Sequence, residues 1–146
     1  MAHKKPVSKY RIVMLVDDSD IDNFINTKML ESCNFAEKIY VHTSGRSGIE
    51  FLRNLDKTPN ALKEILPEII FLDINMPLMD GFQFAAEFDK LGKEITDHCK
   101  LFILSSSTNP RDIASSKQSP SIVLYVTKPL STETLESIDI KTERIT

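Results

Sequence analysis

Cysteine, histidine and long apolar runs are all scarce in this chain of 146 residues, and each scarcity removes a class of explanation. The two cysteines, Cys33 and Cys99, lie far apart and form no CxxC pair. A disulfide framework is therefore not indicated, and a reducing compartment is the simpler setting. The histidines, His3, His42 and His98, show no metal-ligand spacing. The apolar run at residues 12–16 stops at Asp17 and Asp18, too short for a signal-peptide core or a bilayer span. Lys and Arg number 18 against 21 Asp and Glu, so no basic excess points to nucleic acid or an anionic membrane surface. There is no GxxxxGK[ST] or GxGxxG run to cradle a nucleotide, and no internal repeat. What survives is one soluble domain, expected in the cytoplasm, with no membrane insertion and no nucleic-acid partner.

Its composition, 41% hydrophobic and 27% charged, suits an ordinary globular core. Short apolar runs alternate with capped amphipathic segments. Residues 12–16, 39–42, 68–72, 101–104 and 122–126 read as five strands, the first a continuous β-rich run of the kind buried on both faces. Ser19 with Asp22 signals a helix over residues 19–32, in which Ile21, Phe24, Ile25 and Met29 recur at helical spacing. Ile49, Leu52 and Leu55 share one face of a second helix, at about residues 44–56. Asp80 and Gln83 cap a third, carrying Phe84, Phe88 and Leu91. Asn109-Pro110-Arg111-Asp112 opens a fourth, and Ser131 a fifth with Leu135 and Ile138 inward. Alternation of this kind predicts an α/β fold, a doubly wound five-stranded parallel sheet flanked by five helices. Ligands of such sheets bind beyond the carboxyl ends of the strands, so function belongs to the residues just after each strand.

Those residues are Asp17 and Asp18 after the first strand, Asp73 after the third, Ser105 after the fourth, and Lys128-Pro129 after the fifth. Singly, each is an ordinary cap, turn hydroxyl or loop charge. Together they would bring three carboxylates, a hydroxyl and an ammonium to one sheet edge. Carboxylates that close repel one another unless a cation joins them, and hard oxygen donors suit Mg²⁺. A metal beside a carboxylate, a hydroxyl and a lysine is equipment for phosphoryl transfer to an aspartate nucleophile.

With these residues in order, the chain resembles the receiver domain of bacterial two-component response regulators, whose fold is flavodoxin-like. The resemblance rests on Asp17-Asp18, on the run Asp73-Ile74-Asn75-Met76-Pro77-Leu78-Met79-Asp80-Gly81, on Ser105, and on Tyr125-Val126-Thr127-Lys128-Pro129. Asp18, Asp73 and Lys128 are evenly spaced, 55 residues apart.

The resemblance implies a role for each position. Asp73 is the phospho-acceptor, attacking a phosphohistidine on a sensor histidine kinase or phosphotransfer protein. Asp17 and Asp18 hold Mg²⁺ with Asp73, Asp18 directly and Asp17 through water, and Asn75 adds its backbone carbonyl. Lys128 pairs with the aspartates and then with the phosphoryl group. Ser105 is the switch hydroxyl and Tyr125 the aromatic switch, together remodelling the face formed by the fourth helix, fifth strand and fifth helix. Pro77 and Gly81 shape the loop after Asp73, and Pro129, after a cis peptide, aims Lys128 into the site. Asn75 and Ser107, at the two positions that tune hydrolysis, are not acidic, which implies slow-to-moderate self-dephosphorylation.

Residues 1–9 are expected to be a basic extension, 10–142 the receiver and 143–146 a tail, with no room for an output domain. Residues 54–66 look longer than the core fold needs, and Ser115, Ser116 and Ser119 suggest a short or mobile fourth helix. No enzymatic turnover is expected beyond self-phosphorylation and its reversal. Two other readings remain: a receiver-like adaptor that takes no phosphate, and an aspartate-nucleophile phosphohydrolase. The latter needs a second acid two residues beyond the nucleophile, where this chain has Asn75.

Overall fold

A computed structural model describes residues 7–58 and 62–140. The expected extension over residues 1–9 therefore falls mostly outside the described residues, as do Pro59 and the tail at 143–146. The elements, in chain order, are β1 (Tyr10–Val16), α1 (Asp20–Ser32), β2 (Ala36–His42), α2 (Gly45–Asp56), α3 (Leu62–Ile65), β3 (Ile69–Leu72), α4 (Gly81–Phe88), α5 (Lys93–His98), β4 (Lys100–Ser105), α6 (Pro110–Gln118), β5 (Ile122–Thr127) and α7 (Thr132–Ser137).

All five strands are parallel and lie in the order β2-β1-β3-β4-β5, the doubly wound arrangement expected. Central β3 is wholly buried, whereas edge strands β2 and β5 are half-exposed. Alternation along the strands sends side chains to two separate cores. Met14, Val16, Ile70 and Leu72 pack with Ile49 and Leu52 of α2, Phe84 and Phe88 of α4 and Ile95 of α5. Val13, Leu15, Ile69 and Phe71 pack on the opposite face with Leu30 of α1 and Leu135 of α7.

The caps read from the sequence are formed. The Ser19 side chain accepts from the Asp22 amide, Asp80 and Gln83 make a reciprocal capping box, and Asn109 caps α6 with Pro110 at its start. Two short helices, α3 and α5, join the expected five. Both lie in connections where no apolar periodicity marks a helix; α5 buries only Ile95. Gly92 stands at its N-cap and donates its amide to Asp56 Oδ2 at 3.0 Å, and Leu91 lies beyond the end of α4. The Ser-rich fourth expected helix, α6, runs nine residues.

Helix α1 differs in which side it turns inward. Its apolar set is largely exposed, Ile21 at 72%, Phe24 at 64% and Ile25 at 44%, while Asn23, Asn26 and Leu30 are buried. The inward asparagines serve main-chain groups: Asn23 Nδ2 donates to the Asp17 carbonyl at 2.8 Å, and Asn26 Oδ1 accepts from the Leu130 amide at 3.1 Å. Buried polar side chains persist when paired in this way. Here they tie α1 to the segments that follow β1 and β5.

Candidate functional site

Strand register builds the site. Val16 pairs with Leu72 across β1 and β3, so Asp17 and Asp73 emerge side by side, and the Asp73 amide donates to the Val16 carbonyl at 2.9 Å. Ser105 pairs with Thr127 across β4 and β5, and the Lys128 amide donates to the Ser105 carbonyl at 2.9 Å. The Lys128–Pro129 peptide is cis, and the Lys128 ammonium reaches the carboxylates of Asp17 and Asp73. The hydrophobic pattern that sets pairing thus also sets which polar residues meet.

Ligand oxygens of Asp17, Asp18 and Asp73 all lie within 4.8 Å of one another. Asp17 and Asp73 are buried, at 4% and 7% exposure, and Asp18 is open to solvent. Lys128 Nζ stands 2.7 Å from Asp17 Oδ2 and 3.5 Å from Asp73 Oδ1. Its third carboxylate partner is Asp22, whose Oδ2 lies 2.8 Å away. Asp22 drew notice in the sequence only as part of a helix cap. Its place one turn into a helix that starts at the acidic edge is the signal that could have revealed it.

Burial, and then the neighbouring Asp17 charge, push the Asp73 carboxyl up to about 6, although Lys128 opposes the shift. Burial alone would lower the Lys128 ammonium. Its hydrogen bonds to Asp17 and Asp22 and the nearby carboxylate charges outweigh that effect and raise it, so Lys128 stays charged. The all-oxygen donor set, with more negative charge than one ammonium offsets, fits a hard divalent cation and offers nothing to a soft one.

The remaining predicted residues surround this cluster. Ser105 is fully buried at the end of β4, and its Oγ accepts from the Ser107 amide at 3.1 Å. The Tyr125 hydroxyl donates to the Ser107 carbonyl at 2.6 Å. Ser107, whose own hydroxyl donates to Asp112 Oδ2 at 2.6 Å, therefore links both switch candidates to the first turn of α6. Asn75 and Pro77 are exposed in the loop after β3, where Leu78 takes a φ of 68°. Gly81 closes that loop: its amide donates to the Ile74 carbonyl at 2.9 Å. A Cβ on Gly81 would stand 2.6 Å from the Asp73 carbonyl oxygen, so a larger residue would force the main chain beside the acceptor to shift.

Residues 13–138 match the family model of the response regulator receiver domain. This chain belongs to that family. Among relatives of the receiver, the sensor histidine kinase CheAY of Helicobacter pylori is 34% identical over 127 residues, 87% of this chain but 14% of that protein. The chain thus spans a small part of that relative. The crystal structure of a two-component response regulator from Cytophaga hutchinsonii superposes with a TM-score of 0.77 at 33% identity, covering 88% of this receiver and 92% of that chain. The Mn²⁺-bound form of response regulator Rcp1 has a TM-score of 0.65 at 21% identity over 86% of this receiver and 87% of that chain, which shows the shared fold. Receiver domains are signalling modules that interact with histidine kinases or phosphotransfer proteins. Among the described residues, no helix is long and apolar enough to cross a membrane.

Proposed function

We propose that this chain is a Mg²⁺-dependent phosphorylatable receiver in which Asp73 takes a phosphoryl group from a phosphohistidine on a sensor histidine kinase or phosphotransfer protein. The observation that carries the reading is the convergence of Asp17, Asp18 and Asp73, whose oxygens lie within 4.8 Å of one another, with Lys128 Nζ 2.7 Å from Asp17 and 3.5 Å from Asp73. Asp17, Asp18, Asp73 and the Asn75 carbonyl are the groups that would hold Mg²⁺. When bound, the cation offsets the crowded carboxylate charge and polarises phosphoryl oxygens.

The step itself belongs to Asp73. One carboxylate oxygen forms a bond to phosphorus as the phosphorus–nitrogen bond of phosphohistidine breaks, and the imidazole leaves with that electron pair. A carboxyl that titrates near 6 is ionised at neutral pH, yet its burial makes it a less solvated and more reactive nucleophile. Lys128 then pairs with the phosphoryl charge. Ser105 Oγ, an acceptor from Ser107 in this state, turns its hydroxyl proton to a phosphoryl oxygen. Because Ser107 also accepts from Tyr125, this change reaches the face of α6, β5 and α7. That face already exposes Val123 and Leu124, and the new charge biases a two-state equilibrium in how it docks a target.

The exposed Ile21, Phe24 and Ile25 of α1 lie on the helix whose Asp22 reaches Lys128, and they supply an apolar surface for the phosphodonor protein. The receiver spans residues 10–142 and works in the cytoplasm, consistent with its two free cysteines. Non-acidic Asn75 and Ser107 give slow-to-moderate self-dephosphorylation, and no external substrate is turned over. Incubation with acetyl phosphate and Mg²⁺, followed by intact-mass measurement, tests the reading. One phosphoryl adduct in the wild type, absent in Asp73→Asn, supports it. No adduct favours the adaptor, and multiple-turnover hydrolysis of phosphomonoesters favours the enzyme.

A further inference from the structure

Lys128 has more partners than phosphoryl transfer calls for. An ammonium offers three N–H donors. Two of its carboxylate contacts are of hydrogen-bond length, 2.7 Å to Asp17 Oδ2 and 2.8 Å to Asp22 Oδ2, while Asp73 Oδ1 stands at 3.5 Å. The two close partners both belong to the β1–α1 segment, and Asp73 alone belongs to the end of β3. The ammonium is thus drawn to the side of the site away from the acceptor.

Asp22 is well suited to hold it there. It sits in the first turn of α1, and its main-chain amide donates to the Ser19 side chain at 3.2 Å, so the carboxylate is free of capping duty. With 37% of the side chain exposed, it is the most solvated of the three partners and the easiest for Lys128 to leave.

We infer that Asp22 is a positioning residue that restrains Lys128 on the Asp17 side until a phosphoryl group competes for the ammonium. This inference rests on the reading of Asp73 as phosphoryl acceptor. Transfer from acetyl phosphate forms the bond from the Asp73 carboxylate oxygen to phosphorus, breaks the phosphorus–oxygen bond to the acetyl group and releases acetate. As the phosphoryl oxygens approach, Lys128 exchanges its hydrogen bond to Asp22 for one to phosphate. Asp22 therefore sets how much must be given up before Lys128 can serve the transferring group.

The test is the second-order rate constant for phosphorylation of the full chain by acetyl phosphate at saturating Mg²⁺, read by intact mass. It compares wild type, Asp22→Asn, Asp22→Glu, Lys128→Ala and the Asp22→Asn/Lys128→Ala double variant, each checked for folding by thermal denaturation. Asp22→Asn is expected to react about threefold to tenfold faster than wild type, in the lower part of the roughly 2-fold to 150-fold that energetic coupling between contacting residues spans. Asp22→Glu, which keeps the charge, is expected to stay near wild type. In the Lys128→Ala background the Asp22→Asn gain is expected to vanish, because the effect runs through the ammonium. A gain that persists there would mean simple relief of charge repulsion and would overturn the inference. So would an Asp22→Asn rate equal to or below wild type. A wild type that takes no phosphate overturns the acceptor reading as well, whereas a normal wild-type adduct with an unresponsive Asp22 overturns this inference alone.

Discussion

Replacing Asp73 with asparagine should make the protein more stable at neutral and alkaline pH, even as it removes the group on which the proposed chemistry depends. The Asp73 carboxyl titrates at about 6 against an ordinary 3.8, chiefly because it is buried and then because Asp17 is beside it. The folded protein therefore holds this proton more tightly than the unfolded chain does. Its contribution to stability is fully present below about pH 3.8 and is lost as pH rises through about 6, leaving a buried carboxylate whose charge the fold must bear. The gap corresponds to at most about 3 kcal/mol. Asparagine keeps the shape and removes the charge, so the gain should be about 1–3 kcal/mol at about pH 8, or several degrees in Tm for a domain of this size. Urea denaturation of both proteins with a chelator present, stepped from about pH 8 to about pH 4, measures it directly. The gain should fade through the region around pH 6 and nearly disappear at the acid end. Added Mg²⁺ should narrow it from the other direction by stabilising the wild type more, since binding to the folded state alone is stabilising. Asp73→Asn being less stable than wild type at about pH 8, or a gain that does not change with pH, would refute the electrostatic account of the site.

Other perturbations test other parts. Gly81→Ala places a methyl group 2.6 Å from the Asp73 carbonyl oxygen and 2.9 Å from the Ile74 Cα, both main-chain atoms. It should cost about 1–3 kcal/mol in urea denaturation and slow acetyl phosphate uptake by displacing the acceptor. Phe24→Ala, on the exposed face of α1, should change stability by no more than about 0.5 kcal/mol. It should leave acetyl phosphate uptake intact while slowing transfer from a protein phosphodonor. Asn75→Ala should leave Mg²⁺ affinity unchanged by calorimetry, because its proposed role uses the main-chain carbonyl, whereas Asp18→Ala should lower that affinity markedly.

The sheet and the convergence of the acids were legible in the sequence for one physical reason. Buried parallel strands are written as apolar runs, and in a doubly wound sheet the residue after each run lies at one edge. Asp17, Asp73, Ser105 and Lys128 could be placed on that edge from strand ends alone. Less visible were features without periodicity. Helix α5 has one buried apolar residue, so hydrophobic spacing could not mark it. The inward face of α1 could not be read from its apolar residues, because Asn23 and Asn26 are buried to satisfy main-chain groups of other segments. Asp22 is separated from Lys128 by 106 positions, and no local pattern links them. The coupling of Ser105 and Tyr125 through Ser107 likewise depends on where two strands end, which a linear motif does not encode.

Asp73, rather than any of the carboxylates around it, is the residue proposed to carry the phosphoryl group. An acyl phosphate is reduced by borohydride to an alcohol, which converts a phosphorylated aspartate into homoserine at its own position. Treating the acetyl phosphate-reacted protein in this way and mapping its peptides by mass spectrometry should find homoserine at position 73 and at no other aspartate. Homoserine at Asp17, Asp18 or Asp22, or none anywhere after reaction with Mg²⁺ present, would contradict the account.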